Sequence, residues 1–518
     1  MKKTSTLSAA LALALLAGGA AAQIVGVMGG NAGQGPQQAP LPGLATPLFL
    51  AAPGVEPAAN MPPEYDHAQS VTLNAAALRA AVPGRQFLIS PEPGVVDQWF
   101  VESVSQPQME QGGYRIVRMH MANDPTAYAA FCMYEDATAM TMQIASRKVT
   151  YRLQFLGNDA YHVWKLDPEN TPNEGDVHGA LPDFPPRIIA EDDDDWRPEE
   201  NPYAPRDAGA CGGTARVLDI MIVYTGDARD AIGGTTAMRA ECALAVDHAN
   251  TAYIGSAMST RMRLVYCDFV SYTESGDQDI DLPRLRSTND GFMDGVHTIR
   301  DTVNADMVAL VNNTGSGLGY CPGGAPTYAS SPFNTCRWTR VAATYTLAHE
   351  CGHNQGAGHD VANGGACGPS YGVGHLFGPS GDGWCTVMAY PTSSNPRVLR
   401  FSNPNINYNG YATGVAIGAS GEAFNARVII DNDDTIEDFE ATRYDIYVNF
   451  AYGGLEFGLA SFPYNTVAEG VANIDTPNVG AGESPTLYIT AGSQNYIGTI
   501  SKVMNIIPCG GAVTIGTP

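Results

Sequence analysis

His349 and His353 stand four residues apart, Glu350 directly follows the first, and His359 comes six residues after the second. The full run is His349-Glu350-Cys351-Gly352-His353-Asn354-Gln355-Gly356-Ala357-Gly358-His359. On an α-helix a spacing of four puts two side chains on one face, with Cβ atoms about 5–6 Å apart. Two imidazoles so placed can both reach one tetrahedral Zn²⁺. Glu350 then leans over the open coordination position. Gly356 permits a sharp turn, because glycine alone adopts positive φ cheaply, and the turn brings His359 round as third ligand. Three protein ligands leave a fourth position for water, as a catalytic site requires, whereas a structural site is closed by four. The chemistry expected is metal-assisted hydrolysis. Zinc lowers the pKa of its water toward ~7 and polarises the scissile carbonyl. Glu350 takes the water proton and passes it to the leaving amine. The bland alternative is a helix with surface histidines, but five fixed positions arise by chance only on the order of once in 10⁴–10⁵ sequences.

The elements before this run must carry it. Val217-Leu218-Asp219-Ile220-Met221-Ile222-Val223-Tyr224 reads as a mostly buried strand. A helix is expected over 236–254, with Ala240, Leu244, Asp247 and Ala252 among its positions, and a second strand at Arg263-Leu264-Val265-Tyr266. Gly291 to Val303 reads as helix and Met307-Val308-Ala309-Leu310-Val311 as a third strand. That alternation predicts an α/β layer with a largely parallel sheet. About 30 loop-like residues then lead to the zinc helix.

Downstream lies Cys385-Thr386-Val387-Met388-Ala389-Tyr390, and Asp360 directly follows the third histidine. The long motif, Asp360 and the Met388 turn together resemble the metzincin zinc metallopeptidases, within them the reprolysin/adamalysin-like branch of secreted bacterial type. The opening strand through Thr225, Tyr272-Thr273-Glu274-Ser275, Arg400-Phe401-Ser402-Asn403-Pro404, Gly414-Val415 and the helix from Asn425-Ala426-Arg427 add to the likeness, which covers roughly 213–443. The resemblance implies zinc held by His349, His353 and His359, Glu350 as catalytic base, and Met388 as an apolar floor. For Tyr390 two readings stay open: a switchable ligand that later steadies the oxyanion, or a packing tyrosine with a satisfied hydroxyl. Asp360 is expected to orient its neighbours rather than bind metal. Gly317-Leu318-Gly319-Tyr320 is the expected sheet edge for extended substrate. Cys351 departs from the apolar residue usual after the glutamate, and a disulfide is expected for it. His248, His297 and His375 are expected to be structural or on the surface.

Around this centre the expected organisation is a signal peptide at 1–22, a β-rich propeptide-like region at 23–182, an acidic Pro-rich linker at 183–212, the catalytic domain at 213–445 and a small all-β, β-helix-like module at 446–518. Met1-Lys2-Lys3, the apolar Leu7 to Leu16 and Ala20-Ala21-Ala22 form the address. In the N-terminal region Gln86-Phe87-Leu88-Ile89, Tyr114-Arg115-Ile116-Val117 and Val149-Thr150-Tyr151-Arg152-Leu153 are β-prone. Glu191-Asp192-Asp193-Asp194-Asp195 repels itself and reads as linker. The fold class is thus α/β (α+β), a mixed, mostly parallel sheet with an active-site helix, flanked by β modules. Export permits disulfides. Of ten cysteines nine lie at or beyond Cys211. Proximity suggests Cys321 with Cys336 and Cys367 with Cys385, and Cys132 is weighed as a thiolate that could block the zinc.

The chain carries 53 acidic against 28 basic residues, a net charge of −25. Nucleic acids and anionic membranes need basic patches, so neither is an expected partner. No later apolar run of ~20 residues is present to span a membrane. The expectation is a secreted, extracellular zinc metalloendopeptidase acting on protein or peptide substrates, with attachment at the cell surface left open. The oligomeric state is undetermined. Two rivals remain: a binding or adhesion protein using the domain as scaffold, which an intact Glu350 argues against, and a zinc hydrolase of a non-peptide amide.

Overall fold

The structure is a computed structural model. It describes residues 45–52, 61–105, 108–109, 112–168, 170, 217–321, 331–380, 382–437, 439–440, 445–452, 463–474, 486–496, 498–500 and 504–516. The signal-peptide and acidic-linker expectations lie outside the described residues.

The N-terminal region is β-rich, as its runs of β-branched and aromatic residues predict. Its strands are β1 (Thr46–Pro47), β2 (Phe49–Ala51), β3 (Tyr65–Leu73), β4 (Gln86–Ile89), β5 (Asp97–Ser105), β6 (Arg115–Met121), β7 (Asp124–Tyr134), β8 (Ala137–Ile144), β9 (Val149–Gly157) and β10 (Ala160–Leu166). They form one sheet in the order β1-β4-β5-β6-β7-β8-β9-β10-β3-β2. The two end strands are separated in the chain only by Leu48, whose N–H donates to Leu88 O at 2.9 Å and whose carbonyl accepts from Asn74 N at 2.9 Å. The sheet therefore curls, like a barrel, until its two end strands meet at Leu48. Every residue of β8 is buried, which an antiparallel strand shows when both of its faces are covered.

The catalytic region contributes β11 (Val217–Tyr224), β12 (Arg261–Phe269), β13 (Met307–Asn312), β14 (Gly317–Gly319) and β15 (Phe333–Arg337). They lie in the order β12-β11-β13-β15-β14. All pairings are parallel except that of β14, which runs antiparallel to β15 at the edge. This is the mixed, mostly parallel sheet expected. Around it lie α1 (Gly226–Ile232), α2 (Thr235–Gly255), α3 (Gln278–Arg286), α4 (Gly295–Val303), α5 (Thr346–Asn354) and α6 (Asn425–Glu437). Strand β15 falls inside the stretch expected to be loop. Its Phe-Asn-Thr-Cys-Arg sequence lacks an apolar pattern, and it is a strand because it is paired on both sides. Helices α1 and α3 were not expected either. Each begins at a side-chain cap, Thr225 accepting from Ala228 N and Asp277 from Asp279 N.

Barrel and catalytic domain share one hydrophobic core, in which Phe131, Met140 and Trp164 join Leu244, Tyr253 and Met388. Polar ties cross the same boundary. Tyr65 Oη donates to Thr339 O at 2.6 Å, Gln154 Nε2 to Ile232 O at 2.9 Å, and Arg118 Nε to Asp247 Oδ2 at 3.0 Å. Cys132 is buried within β7, where burial pushes its thiol well above the usual value, and it is not among the residues whose ligand atoms gather with the three histidines.

The C-terminal piece consists of β16 (Asp445–Val448), α7 (Val467–Asn473), β17 (Thr486–Gln494) and β18 (Asn505–Ile515). Its three strands are parallel neighbours in chain order. The all-β expectation is corrected here: a helix capped by Thr466 lies between the first two strands and covers Ile446, Val448 and Leu487.

Candidate metal centre

Helix α5 carries His349 and His353 on one face, both buried. Gly356 follows with φ +90°, and the chain reverses there as its glycine predicts. His359 swings back beneath the helix. The three Nε2 atoms converge: His349 to His353 is 3.1 Å, His349 to His359 2.9 Å, and His353 to His359 2.9 Å.

The opposite ring nitrogens show what that convergence is for. His349 Nδ1 lies 2.8 Å from Val387 O, His353 Nδ1 2.9 Å from Ala357 O, and His359 Nδ1 3.0 Å from Asn363 O. A carbonyl oxygen only accepts, so each Nδ1 carries the hydrogen and each Nε2 presents a lone pair. Three lone pairs aimed at one buried point repel unless a cation stands between them. The donor set fits zinc: three neutral imidazoles, each oriented by a main-chain carbonyl. The residues Cys321, His353 and Cys367 also lie close together, but the two cysteines form a disulfide and cannot serve as thiolate ligands.

Glu350 is buried one residue along from His349. Room for its carboxylate is made by β14. A Cβ on Gly319 would stand 2.9 Å from Glu350 O and 3.1 Å from its Oε2, and one on Gly317 would overlap Oε1 outright. The substrate-edge expectation thus falls on the strand that also roofs the glutamate. Asn354 ties helix and edge together, its Nδ2 donating to Tyr320 O at 2.9 Å and Phe333 O at 3.0 Å.

Met388 lies beneath the helix. A Cβ on Gly352 would collide with its sulfur, so the glycine is what lets the apolar floor approach. Asp360 does not reach the metal point. Its carboxylate accepts from Asn363 Nδ2 at 2.9 Å and from Tyr390 N at 3.1 Å. It thereby locks the segment whose Asn363 carbonyl orients His359, and it fixes Tyr390, whose ring centroid is 4.5 Å from that of His359. This linkage was invisible in sequence, because residues 360 and 390 are joined only by the fold.

Two cysteine expectations are corrected. Cys321 pairs with Cys367, while Cys336 and Cys385 are buried and lie outside that disulfide. Proximity in sequence failed because Cys367 folds back beside Ala357, directly behind the metal helix. Cys351 forms no disulfide; it is a buried thiol contacted by Asn334 Nδ2 at 3.6 Å. His248 and His297 instead bond Ala342 O and Ser287 O, and His375 stacks on Phe377.

The chain is similar to known metallopeptidases. Residues 214–408 match the sequence model of metallo-peptidase family M12. A peptidyl-Asp metalloendopeptidase of Stenotrophomonas maltophilia (strain R551-3) is 39% identical over 238 residues, 45% of this chain and 55% of that protein. One of Xanthomonas campestris pv. campestris is 33% identical over 319 residues, 61% of this chain and 70% of that protein. One of Pseudomonas fragi is 33% identical over 192 residues, 37% of this chain and 98% of that one. The chain thus spans little more than half the length of the Stenotrophomonas relative.

Proposed function

Since this chain belongs to metallopeptidase family M12, as a metzincin-type zinc metallopeptidase, we propose that it is a secreted endopeptidase that hydrolyses peptide bonds adjoining aspartate in extracellular proteins. The single observation that carries the hydrolytic reading is the trio of Nε2 lone pairs meeting beside a buried glutamate. The aspartate preference comes from the name that the relatives share. Secretion is read from the Met1–Ala22 segment.

His349, His353 and His359 would hold the zinc, which supplies Lewis acidity toward water and the substrate carbonyl. The chain's own groups do the rest. Edge strand β14 aligns an extended peptide by main-chain pairing. Glu350 takes a proton from the attacking water as the new C–O bond forms. It returns that proton to the amide nitrogen as the C–N bond breaks. Tyr390, held by Asp360 beside His359, donates its hydroxyl to the developing oxyanion.

The direct test is digestion of a peptide library by the purified protein with and without a zinc chelator. Chelator-sensitive cuts clustered at aspartate are expected. Cleavage that persists without metal, or none with zinc restored, would refute the reading. Cuts without aspartate preference would leave the peptidase and remove its substrate.

A further inference from the structure

The Cys321–Cys367 bridge joins two segments 46 residues apart in the chain, and both border the metal centre. Cys321 follows Tyr320, the residue after edge strand β14, whose carbonyl accepts from Asn354 of the metal helix at 2.9 Å. Cys367 closes a loop that packs on the turn before the third histidine. A Cβ on Gly358 would overlap Gly365 O and stand 2.8 Å from Cys367 N. The bridge thus clamps the end of the substrate edge to the turn that delivers His359.

Its sulfurs also meet the second histidine. Both lie within 4.8 Å of a ring nitrogen of His353. Cys367 Sγ is 3.4 Å and Cys321 Sγ 3.7 Å from Ala357 O, and that carbonyl stands 2.9 Å from His353 Nδ1. Ala357 O decides which nitrogen of His353 carries the hydrogen, and so keeps the Nε2 lone pair aimed at the metal point. The bridge is the covalent wall behind this carbonyl. It is also open to exchange, because Cys321 is buried but Cys367 only partly so, and exchange begins with attack on an accessible sulfur.

We propose that this disulfide is a redox-controlled positioning device for the zinc site: closed, it holds His353 in the ligand trio, and reduced by a dithiol it lets His353 loosen. The dithiol gives up two hydrogens and becomes a disulfide, while Cys321 and Cys367 each gain one hydrogen as thiols. The sulfurs then part to non-bonded distance and the wall behind Ala357 opens. A group that orients a metal-bound histidine contributes about 10- to 100-fold to metal affinity, so the reduced protein holds zinc that much more weakly. The peptidase is therefore short of metal where thiols are kept reduced and competent where disulfides persist. The proposal rests on the reading of His349, His353 and His359 as the zinc ligands.

The test uses the full chain and reads its zinc dissociation constant by competition with a chromogenic chelator. Oxidised protein is compared with protein reduced by a phosphine and with the double variant Cys321→Ala/Cys367→Ala. The phosphine becomes its oxide with oxygen from water, whose two hydrogens go to the sulfurs. Reduced protein and double variant should bind zinc about 10- to 100-fold more weakly than the oxidised form, with native near-ultraviolet circular dichroism retained. Reoxidation should restore the affinity of wild type, and the phosphine should leave that of the double variant unchanged. A bridge that only braces the fold would lower Tm and leave zinc affinity as it was. That result, loss of native dichroism in either form, or a phosphine effect that persists in the double variant would overturn the proposal and leave the ligand reading standing. Oxidised wild type that binds no zinc would overturn both.

Discussion

Gly317 faces the Glu350 carboxylate so closely that a Cβ on the glycine would stand well inside contact distance of Oε1. The edge strand and the Glu350 carboxylate are therefore closely fitted to one another. Gly317→Ala should displace the glutamate while leaving the histidines in place. We expect full zinc content with kcat down about 10- to 100-fold, since small displacements of a reacting group cost that much. Zinc analysis beside steady-state kinetics checks it; a wild-type kcat would show that the carboxylate has slack.

Glu350→Gln removes the proton carrier and keeps the three imidazoles. About one zinc per chain should remain by metal analysis, with kcat reduced at least about 100-fold. Loss of the metal together with activity would assign Glu350 a structural role instead.

Tyr390→Phe separates the two readings of that residue. As an oxyanion donor its loss should lower kcat about 10- to 100-fold with KM nearly unchanged. As a packing residue, the variant should turn over at the wild-type rate with a lowered melting temperature.

A propeptide-like region at 23–182 would be released from the protease domain by cleavage of the acidic Pro-rich linker at 183–212. The packing predicts another outcome. Arg152 of the barrel, 1% exposed, lies 3.5 Å from the buried Glu241 of α2 and 5.0 Å from the Trp338 ring centre. Separation would strip this cation of its partners and open the shared apolar core to water. After the cut, both pieces should elute together from a sizing column without denaturant. Elution as two species would restore the released-propeptide reading.

The buried His248 gives a pH signature. Burial foremost, with help from the Arg118 charge, lowers its pKa from 6.5 to about 3. Its folded value lies below its unfolded one, so the unfolded chain binds a proton that the fold refuses as pH falls below 6.5. Stability from this group is complete above 6.5 and is lost on acidification, roughly 2 kcal/mol by pH 5. Denaturant titrations of wild type and His248→Gln across this range should differ in slope by that amount. Parallel curves would refute the assignment.

The histidine trio was legible in sequence because its geometry is local. A spacing of four on a helix, a glycine that can turn and a third histidine just beyond it are decided within a dozen residues. The strands at 217 and 307 and the helix at 235 were legible for the same reason, since apolar periodicity is a short-range signal. The long-range pairings were not. Cys321 reaches Cys367 and not Cys336 because the chain doubles back at Gly356. Strand β15, with no apolar pattern of its own, exists because β13 and β14 flank it. Val387 O chooses the tautomer of His349 from 38 residues away, and Tyr345 and Arg397 line a cavity together with residues of the barrel. Residue type and spacing state which groups can do chemistry. Which carbonyl, wall or floor each of them meets depends on surfaces distant in the chain, and these come together only when the shared core closes.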